Sequence, residues 1–320
     1  MGTVMATLLA RAGIDTVLLE AGQTCAEELR ASTFHPPTLE MLDQIGITPT
    51  LPERGLKAPI YHWRDRQSGE SVAFDLSELS DITRYPYRIQ CEQYHLSNTL
   101  AAVLDETPNA DVRFGTRLLS FEQDDTGVTV FAEGVTEVER IRCDWLIGTD
   151  GANSLVRKWL GIEFDGFTYP EKFLCLTTKT GLADHMTNLA LVNYVSDPQE
   201  WLVLLSVPSL WRVLVPTDDT KLDAELLGDA AKNAVFDRLI GNDATAERIA
   251  RFERRRRTVT HAFTQAQSIQ NMEYIKVGNG EAHKRRRADL QAICADDGKR
   301  RAYLMRQAMF ESLAQAAEIS

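Results

Sequence analysis

Three residues near the start of the chain have the types and spacing of a nucleotide-binding site. Gly2 precedes an apolar helical segment, Gly13 ends that segment, and Glu20 closes a short β-rich run. A glycine at this point lets backbone N–H groups approach a pyrophosphate, and a carboxylate at the end of the next strand can accept hydrogen bonds from ribose hydroxyls. An ordinary helix–strand pair with a solvent-facing glutamate fits the same pattern, so this segment alone leaves both interpretations open.

A second candidate site lies in the stretch GTDGANSLVR, residues 148–157. A strand that ends in Asp-Gly and leads into a helix places a carboxylate and exposed amides at the edge where open α/β sheets bind ligands. Asp150 can then hydrogen-bond a ribityl or ribose hydroxyl, and Arg157 can hold a phosphate or brace the loop. The alternative is a tight turn in which Asp150 caps the helix, and the residues favour neither interpretation.

The cysteines and histidines indicate neither a metal site nor a disulfide framework. The five cysteines are scattered and no pair has CxxC spacing, while the six histidines include no HExxH motif. A zinc site or a set of disulfides is therefore not expected, and reduced structural cysteines in the cytosol are the expected state.

Composition and charge argue against several other classes of protein. The chain is 44% hydrophobic and 25% charged, as in an ordinary globular protein. Its net charge of −11 argues against a general nucleic-acid binder, and the basic runs at 254–257 and 284–287 are expected on solvated or acid-paired helix faces. No apolar run is long enough for a membrane span, and the first residues lack the layout of a secretory signal. A cytoplasmic protein is expected.

Apolar periodicity places the candidate residues on a mixed α/β fold. Residues 3–12 are predicted as a helix and 15–20 as a strand, which together make the second half of a β-α-β unit. Residues 144–150 form a near-continuous apolar run that predicts a strand buried on both faces. The other predicted helices are 36–46, 92–104, 153–160, 224–239 and 246–257, and the other predicted strands are 61–63, 71–74, 112–115, 118–123, 128–132, 201–207 and 211–215.

Several of these segments together resemble one family. Residues 148–157 resemble the "DG" motif of the flavin-dependent aromatic hydroxylases, the para-hydroxybenzoate hydroxylase-like monooxygenases. Residues 8–21 resemble that family's first β-α-β unit, and residues 161–170 resemble its crossover into the substrate domain. Similar matches at 30–42, 90–96 and 251–267 extend the resemblance over nearly the whole chain.

This resemblance implies a fold and a set of domains. The expected fold is α/β, a Rossmann-like three-layer FAD/NAD(P)-binding domain with an inserted β-rich substrate domain and a C-terminal helical segment. The FAD-binding domain is expected at 1–56 and 86–166, and the substrate-binding β-sheet region at 57–85 and 167–240. The C-terminal helical segment is expected at 241–320, and fold analogy suggests that it forms a homodimer contact.

The resemblance also implies the chemistry. NADPH or NADH would reduce FAD, O2 would form a flavin C4a-hydroperoxide, and a phenolic or other aromatic small molecule would be hydroxylated. No residue is assigned to the substrate. Tyr194, Trp201 and Trp211 are candidates for its pocket wall, although aromatic residues at strand spacing are more often core. The residues expected to hold FAD are Gly2, Glu20, Arg30, Gln90, Asp150 and Gly151.

Two departures from the family pattern bear on activity. The chain begins at about the third glycine of the family's pyrophosphate loop, and residues 237–241 run almost directly into 242–251, where the family has a Gly-Asp motif, a glycine- and proline-rich loop and a long helix. Without these parts, we expect the chain to lack amides that hold the pyrophosphate and a wall that shields the flavin from water. Two alternatives therefore stay open: a catalytically impaired or inactive fragment of such an enzyme, and a flavin-dependent oxidoreductase acting on a non-phenolic substrate.

Overall fold

The chain forms two compact units. The computed structural model describes residues 1–27, 31–167, 172–179, 181–197, 201–217, 223–240 and 280–308. The first unit consists of residues 1–28 and 93–168, and the second of residues 29–92 and 169–320. These are units of close packing, and the functional domain boundaries expected from the sequence stay a prediction.

Helices and strands alternate through most of the described residues. The helices are α1 (Gly2–Arg11), α2 (Pro36–Asp43), α3 (Gln93–Asp105), α4 (Leu155–Trp159), α5 (Asp223–Leu226), α6 (Asp229–Ile240), α7 (Gly280–Ala295) and α8 (Asp297–Gln307). The strands are β1 (Thr16–Glu20), β2 (Thr33–Phe34), β3 (Leu56–Ala58), β4 (Ile60–Asp65), β5 (Ser71–Asp75), β6 (Arg88–Gln90), β7 (Ala110–Phe114), β8 (Arg117–Asp124), β9 (Gly127–Glu133), β10 (Val138–Cys143), β11 (Lys172–Thr178), β12 (Val192–Ser196), β13 (Leu202–Val207) and β14 (Leu210–Thr217).

Three layers make up the first unit. In the middle layer β1 pairs with β7 in parallel, from Thr16 opposite Ala110 to Glu20 opposite Phe114. Successive side chains of a strand point to opposite faces. Leu18 accordingly packs with α1 and α3 in a cluster around Ala6, Ala10 and Leu104. Leu19 packs on the other face against the antiparallel sheet of β8, β9 and β10.

Turn chemistry accounts for the join between β8 and β9. The backbone N–H of Thr126 donates to the Asp124 carboxylate at 2.7 Å, and Gly127 adopts a φ of +145°, which favours glycine. This confirms the turn predicted at 124–127. Strand β10 was not predicted, and its Arg142 closes the turn by donating to Asp124 at 2.7 and 2.8 Å.

The strand predicted at 144–150 is wrong. These residues form no strand, Trp145 is 85% exposed, and Ile147 is 47% exposed. A buried strand needs a neighbouring strand for its backbone N–H and C=O groups. Among the described residues, the parallel sheet of the first unit contains β1 and β7, which pair with one another. Apolar composition without a hydrogen-bonding neighbour therefore leaves the segment irregular.

A six-stranded sheet dominates the second unit, in the order β11-β14-β13-β12-β4-β5. Helix α6 covers one face through Val235, Phe236 and Leu239. Helices α7 and α8 cover the other face, where Leu290, Tyr303 and Leu304 pack against residues of β4 and β5. The pairs predicted at 61–63 with 71–74 and at 201–207 with 211–215 are both antiparallel neighbours in this sheet, which confirms them.

A small three-stranded sheet, in the order β2-β6-β3, completes the second unit. Residues 36–43, 93–105 and 155–159 form helices where helices were predicted, whereas the helix predicted at 246–257 lies outside the described residues. The basic run at 254–257 lies outside them too, and the run at 284–287 falls on α7.

All five cysteines are free in the structure. Within the described ranges, no helix is both long enough and apolar enough to cross a membrane.

Candidate functional site

The start of α1 lies against the Asp-Gly segment. A Cβ added to Gly2 would lie 3.0 Å from the Oγ1 of Thr149 and 3.3 Å from the Cδ1 of Leu18. Both approaches are closer than an ordinary van der Waals contact, so glycine is the residue that fits between β1 and the segment before Asp150. The structure therefore brings together the two candidate nucleotide-binding segments, the helix start at Gly2 and the Asp-Gly stretch at 148–157, which lie far apart along the chain.

The amino end of α1 is suited to an anion. Met1 occupies the N-cap position and, among the described residues, no side chain caps the helix and its first turn contains no acidic residue. The free N–H groups at a helix start carry a partial positive charge and bind phosphate or carboxylate oxygens.

Glu20 stands at the carboxyl end of β1, as the sequence predicts for a ribose-binding carboxylate. One carboxylate oxygen, Oε1, accepts a hydrogen bond from the backbone N–H of Gly22 at 2.8 Å, and the residue is half-buried. The backbone carbonyl of Glu20 accepts from the N–H of Thr116, which fixes the strand end. The turn that follows Glu20 therefore holds its carboxylate in place through the N–H of Gly22. Its role in binding a ribose stays a prediction.

Asp150 caps α4 in this structure. Its carboxylate accepts hydrogen bonds from the Ser154 hydroxyl at 2.6 Å, from the N–H of Leu155 at 2.6 Å and from the N–H of Val156 at 3.3 Å. Burial raises the pKa of Asp150, but hydrogen bonds from the Ser154 hydroxyl, from its own backbone N–H and from the N–H groups of Val156 and Leu155 outweigh it, so the pKa lies below the ordinary value of 3.8. The geometry thus fits the capping interpretation of the sequence, and contact with a sugar hydroxyl stays a prediction.

Arg157 braces the same loop. Its guanidinium donates to the backbone carbonyl of Ala152 at 2.8 Å and lies 4.4 Å from the ring centroid of Phe164. Gly151, which follows Asp150 and precedes Ala152, has a φ of +79°. A Cβ at this position would meet no described heavy atom within 4 Å. The loop therefore offers a glycine with open space beside it, held in place by a capped helix and an arginine.

Gln90 lies in the second unit, on β6, and is fully buried. Its Oε1 accepts from the Thr33 hydroxyl at 3.0 Å, while its Nε2 finds no hydrogen-bond partner among the residues that the structure describes. Arg30 is also predicted to contact the cofactor. It lies in the sequence between β1 and α2, outside the described residues. The roles of both residues toward a cofactor stay predictions.

Sequence reasoning missed Arg88, two residues before Gln90. Only 1% of this arginine is exposed; it donates to the Tyr194 hydroxyl at 3.2 Å, and its guanidinium carbon lies 4.4 Å from the ring centroid of Tyr61. Burial and then the charge of Arg88 lower the pKa of His35 to about 3, so this imidazole is neutral. The available signal was the spacing of Arg88 and Gln90, which puts both side chains on one face of a strand.

Comparison with known proteins identifies the class. The model of the family described as "FAD binding domain" matches residues 1–251, and the chain belongs to this family. It is 35% identical to para-nitrophenol 4-monooxygenase of Pseudomonas sp. strain WBC-3 over 229 residues, which are 71% of this chain and 56% of the relative. It is 31% identical to 6-hydroxy-3-succinoylpyridine 3-monooxygenase HspB of Pseudomonas putida strain DSM 28022 / S16 over 220 residues, 68% of this chain and 56% of the relative.

A solved structure confirms the fold. p-Nitrophenol 4-monooxygenase PnpA from Pseudomonas putida DLL-E4 matches with a TM-score of 0.85 and 23% identity, over 95% of this chain and 94% of that one. The predicted fold class, the family resemblance and FAD as its cofactor are thereby confirmed. The chain spans about half the length of the curated relatives that it matches.

Proposed function

We propose that the chain is an FAD-dependent monooxygenase that hydroxylates a phenolic or other aromatic small molecule, with NADPH or NADH as electron donor and O2 as oxygen source. The observation that carries the proposal is the contact of the α1 start with the Asp-Gly loop in a chain of the FAD binding domain family. The names of the two curated relatives supply the substrate class, because one is a monooxygenase of a nitrophenol and the other of a hydroxypyridine.

Residues of the first unit fit separate parts of FAD. The uncapped N–H groups at the start of α1 suit its diphosphate, and Gly2 keeps the approach free of a side chain. Glu20 keeps its Oε2 for a ribose hydroxyl while Oε1 accepts from Gly22. The open space beside Gly151 suits the ribityl chain, with Asp150 holding the loop.

FAD supplies the redox chemistry when it is bound, because it accepts a hydride from the nicotinamide and reacts with O2. The chain's own groups bind and orient. Helix α1 and Glu20 hold the nucleotide end, Arg157 and Asp150 keep the loop of Gly151 rigid, and the buried amide of Gln90 can donate to a ligand oxygen.

A titration of the purified chain with FAD tests the first part of the proposal. We expect an equimolar amount of FAD to bind, with the shifted visible spectrum of an enclosed flavin. NADPH and NADH oxidation is then followed with and without 4-nitrophenol, and the products are identified by mass spectrometry. Substrate-stimulated oxidation with a hydroxylated product is the expected result.

The other outcomes separate the alternatives. FAD binding without oxidation of NADPH or NADH identifies a catalytically impaired chain. Oxidation that only non-phenolic compounds stimulate identifies a flavin-dependent oxidoreductase of another substrate class. A folded chain that does not bind FAD contradicts the whole proposal.

We also propose that the chain acts in the cytoplasm as a homodimer. The free state of all five cysteines supports a reducing compartment, and fold analogy supports the dimer. Sedimentation velocity of the purified chain measures the oligomeric state. A chain that stays monomeric over the whole concentration range contradicts the proposed homodimer.

A further inference from the structure

The first unit exposes a large apolar surface around α4. Eight apolar side chains between residues 145 and 167 are each 40–85% exposed. These residues, here named the α4 surface, are Trp145, Ile147, Leu155, Trp159, Leu160, Ile162, Phe164 and Phe167. An aromatic side chain has about 150–250 Å² of surface, so the eight expose on the order of 800 Å². Monomeric proteins rarely expose an apolar patch of this size, so the α4 surface indicates a binding partner.

The residues of the α4 surface are neighbours in space. Leu155 and Trp159 are four positions apart on α4, and residues at this spacing lie on one face of a helix. Leu160, directly after the helix, lines the same cavity as Trp145. The ring centroid of Phe164 lies 4.4 Å from a guanidinium on α4. The exposed apolar side chains therefore form one surface centred on this helix.

The α4 surface contains an open cavity of about 400 Å³. Its apolar walls are formed by Phe121, Val128, Trp145, Leu146, Val156 and Leu160. Apolar walls of this kind gain most from an apolar group that displaces water. Trp159 lies outside the cavity wall and is mostly exposed. One surface thus presents both an apolar cavity and a bulky apolar side chain that can fill such a cavity.

Charged side chains of both signs border the same surface. The exposed carboxylates of Asp125 and Asp144 line the cavity, and Lys158 is exposed on α4. When two copies meet about a two-fold axis, each copy can place Lys158 near the carboxylates of the other. The same carboxylates repel an anionic membrane or a nucleic acid. The charges therefore favour a second copy of the chain as the partner.

We propose that the α4 surface forms the interface of a homodimer, in which Trp159 of each copy enters the cavity of the other. The inference rests on the proposed homodimer and goes further by naming its interface, which lies in the first unit and not on the C-terminal helical segment. A stable dimer buries about 800 Å² on each partner, and the α4 surface exposes an area of this order. In a two-fold contact both copies use the same surface, so a cavity and a bulky side chain on it complement one another.

Sedimentation velocity of the full chain with excess FAD, over a range of protein concentrations, measures the dissociation constant of the dimer. Trp159→Glu puts a charge into the apolar contact, and we expect the dissociation constant to rise roughly 30-fold or more. Trp159 is mostly exposed, so the variant should fold, and circular dichroism with urea unfolding checks that it does.

Val135→Glu is the matched control, because it also replaces an exposed apolar residue with glutamate. Val135 follows the end of β9 at Glu133, whereas Gly127 at the start of β9 lines the cavity. At roughly 3.3 Å per residue the strand separates the two ends by about 20 Å. Val135→Glu should therefore keep the wild-type dissociation constant.

Hydrogen exchange locates the contact in the wild-type chain, without any substitution. Backbone amides of residues 144–149 and 155–167 should exchange more slowly at protein concentrations above the dissociation constant than far below it. Amides of the turn at 134–137 should exchange at the same rate at both concentrations.

Three results overturn the inference. A wild-type chain that stays monomeric contradicts both the interface and the proposed homodimer. A dimer that Trp159→Glu and Val135→Glu leave equally stable, with slowed exchange outside the α4 surface, contradicts the interface and leaves the homodimer standing. Assemblies of many sizes in place of a dimer show that the surface is adhesive and not specific. A dimer with this interface that does not bind FAD contradicts the proposed enzymatic function alone.

Discussion

Gly2 and Thr149 are in such close contact that a Cβ on Gly2 would lie 3.0 Å from the threonine Oγ1. The contact brings the start of α1 and the Asp-Gly loop together within the first unit. A nucleotide site built from a helix start and a loop depends on this spacing, because both parts must reach the same ligand.

Gly2→Val is expected to disturb this contact. The branched side chain must displace Thr149 or Leu18, which costs about 1–3 kcal/mol of the free energy of unfolding. FAD affinity should fall with it, because the start of α1 moves away from the loop. Urea unfolding and FAD titration measure the two effects.

Gly134→Ala is the matched control for that variant. A Cβ at Gly134 would lie 3.6 Å from the backbone oxygen of Glu137, an ordinary contact. Stability and FAD affinity should stay at the wild-type values. If Gly2→Val behaves like Gly134→Ala in both measurements, the close approach has no functional importance.

Asp150→Ala and Ser154→Ala separate helix capping from ligand binding. Asp150 accepts from the N–H groups of Leu155 and Val156, and Ser154 accepts from that of Arg157. Either substitution should reduce the free energy of unfolding by about 0.5–2 kcal/mol, because each removes a cap of α4. We expect only Asp150→Ala to reduce FAD affinity beyond this shared effect, and FAD titration of both variants measures it. Equal FAD affinities in the two variants would assign Asp150 to the cap alone.

His35 makes stability depend on pH. Burial, and then the charge of Arg88, lower the pKa of this imidazole from 6.5 to about 3. Between these values the unfolded chain binds a proton that the folded chain does not, so the free energy of unfolding falls as the pH decreases from 6.5 toward 3. From about pH 7.5 to about pH 5 the loss should reach up to about 2 kcal/mol, measured by urea unfolding.

His35→Phe tests this assignment. The variant should lose that part of the pH dependence, while His62, whose pKa is also lowered by burial, keeps a slope of the same sign. If the free energy of unfolding of His35→Phe changes with pH as steeply as that of the wild type, His35 is not the source of the pH dependence.

Leu304→Ala is expected to loosen α8 from the sheet of the second unit. Leu304 is fully buried in the cluster that contains Tyr61 and Phe74, and its loss leaves a cavity. The expected cost is about 2–5 kcal/mol of the free energy of unfolding. Ala302→Ser, at an exposed position of the same helix, should cost only about 0.5 kcal/mol, because serine has a lower helix propensity than alanine. Equal unfolding midpoints for the two variants contradict the packing of α8 against this sheet.

Local patterns in the sequence predicted most of the secondary structure. The hairpin of β8 and β9 follows from alternating apolar residues around a turn that ends at Gly127, and the β13–β14 pair follows in the same way. Helix α3 follows from an apolar stripe that includes Leu100 and Leu104, both buried. Such elements depend on neighbours within a few residues, which a single sequence shows.

Features that depend on distant partners could not be predicted. Residues 144–150 have the composition of a buried strand but have no neighbouring strand among the described residues to pair with. The Arg88 cluster combines side chains from β4, β6 and β12 with His35, and only the fold brings them together. The Asp-Gly motif was recognised, and capping by Asp150 was one of its two open interpretations; the three donors to its carboxylate, two of them backbone N–H groups of α4, decide for capping in this structure.

Synthesis of the chain takes place in one direction, and this affects the sheet that α8 covers. The Arg300 guanidinium on α8 bonds Glu78 at 2.7 Å, although the two residues are 222 positions apart. At about 5–20 residues per second, a ribosome needs on the order of ten to forty seconds between them. Throughout that interval the apolar face of β4 and β5 that α8 covers stays exposed, and apolar surface exposed on a partly synthesised chain promotes association with other chains.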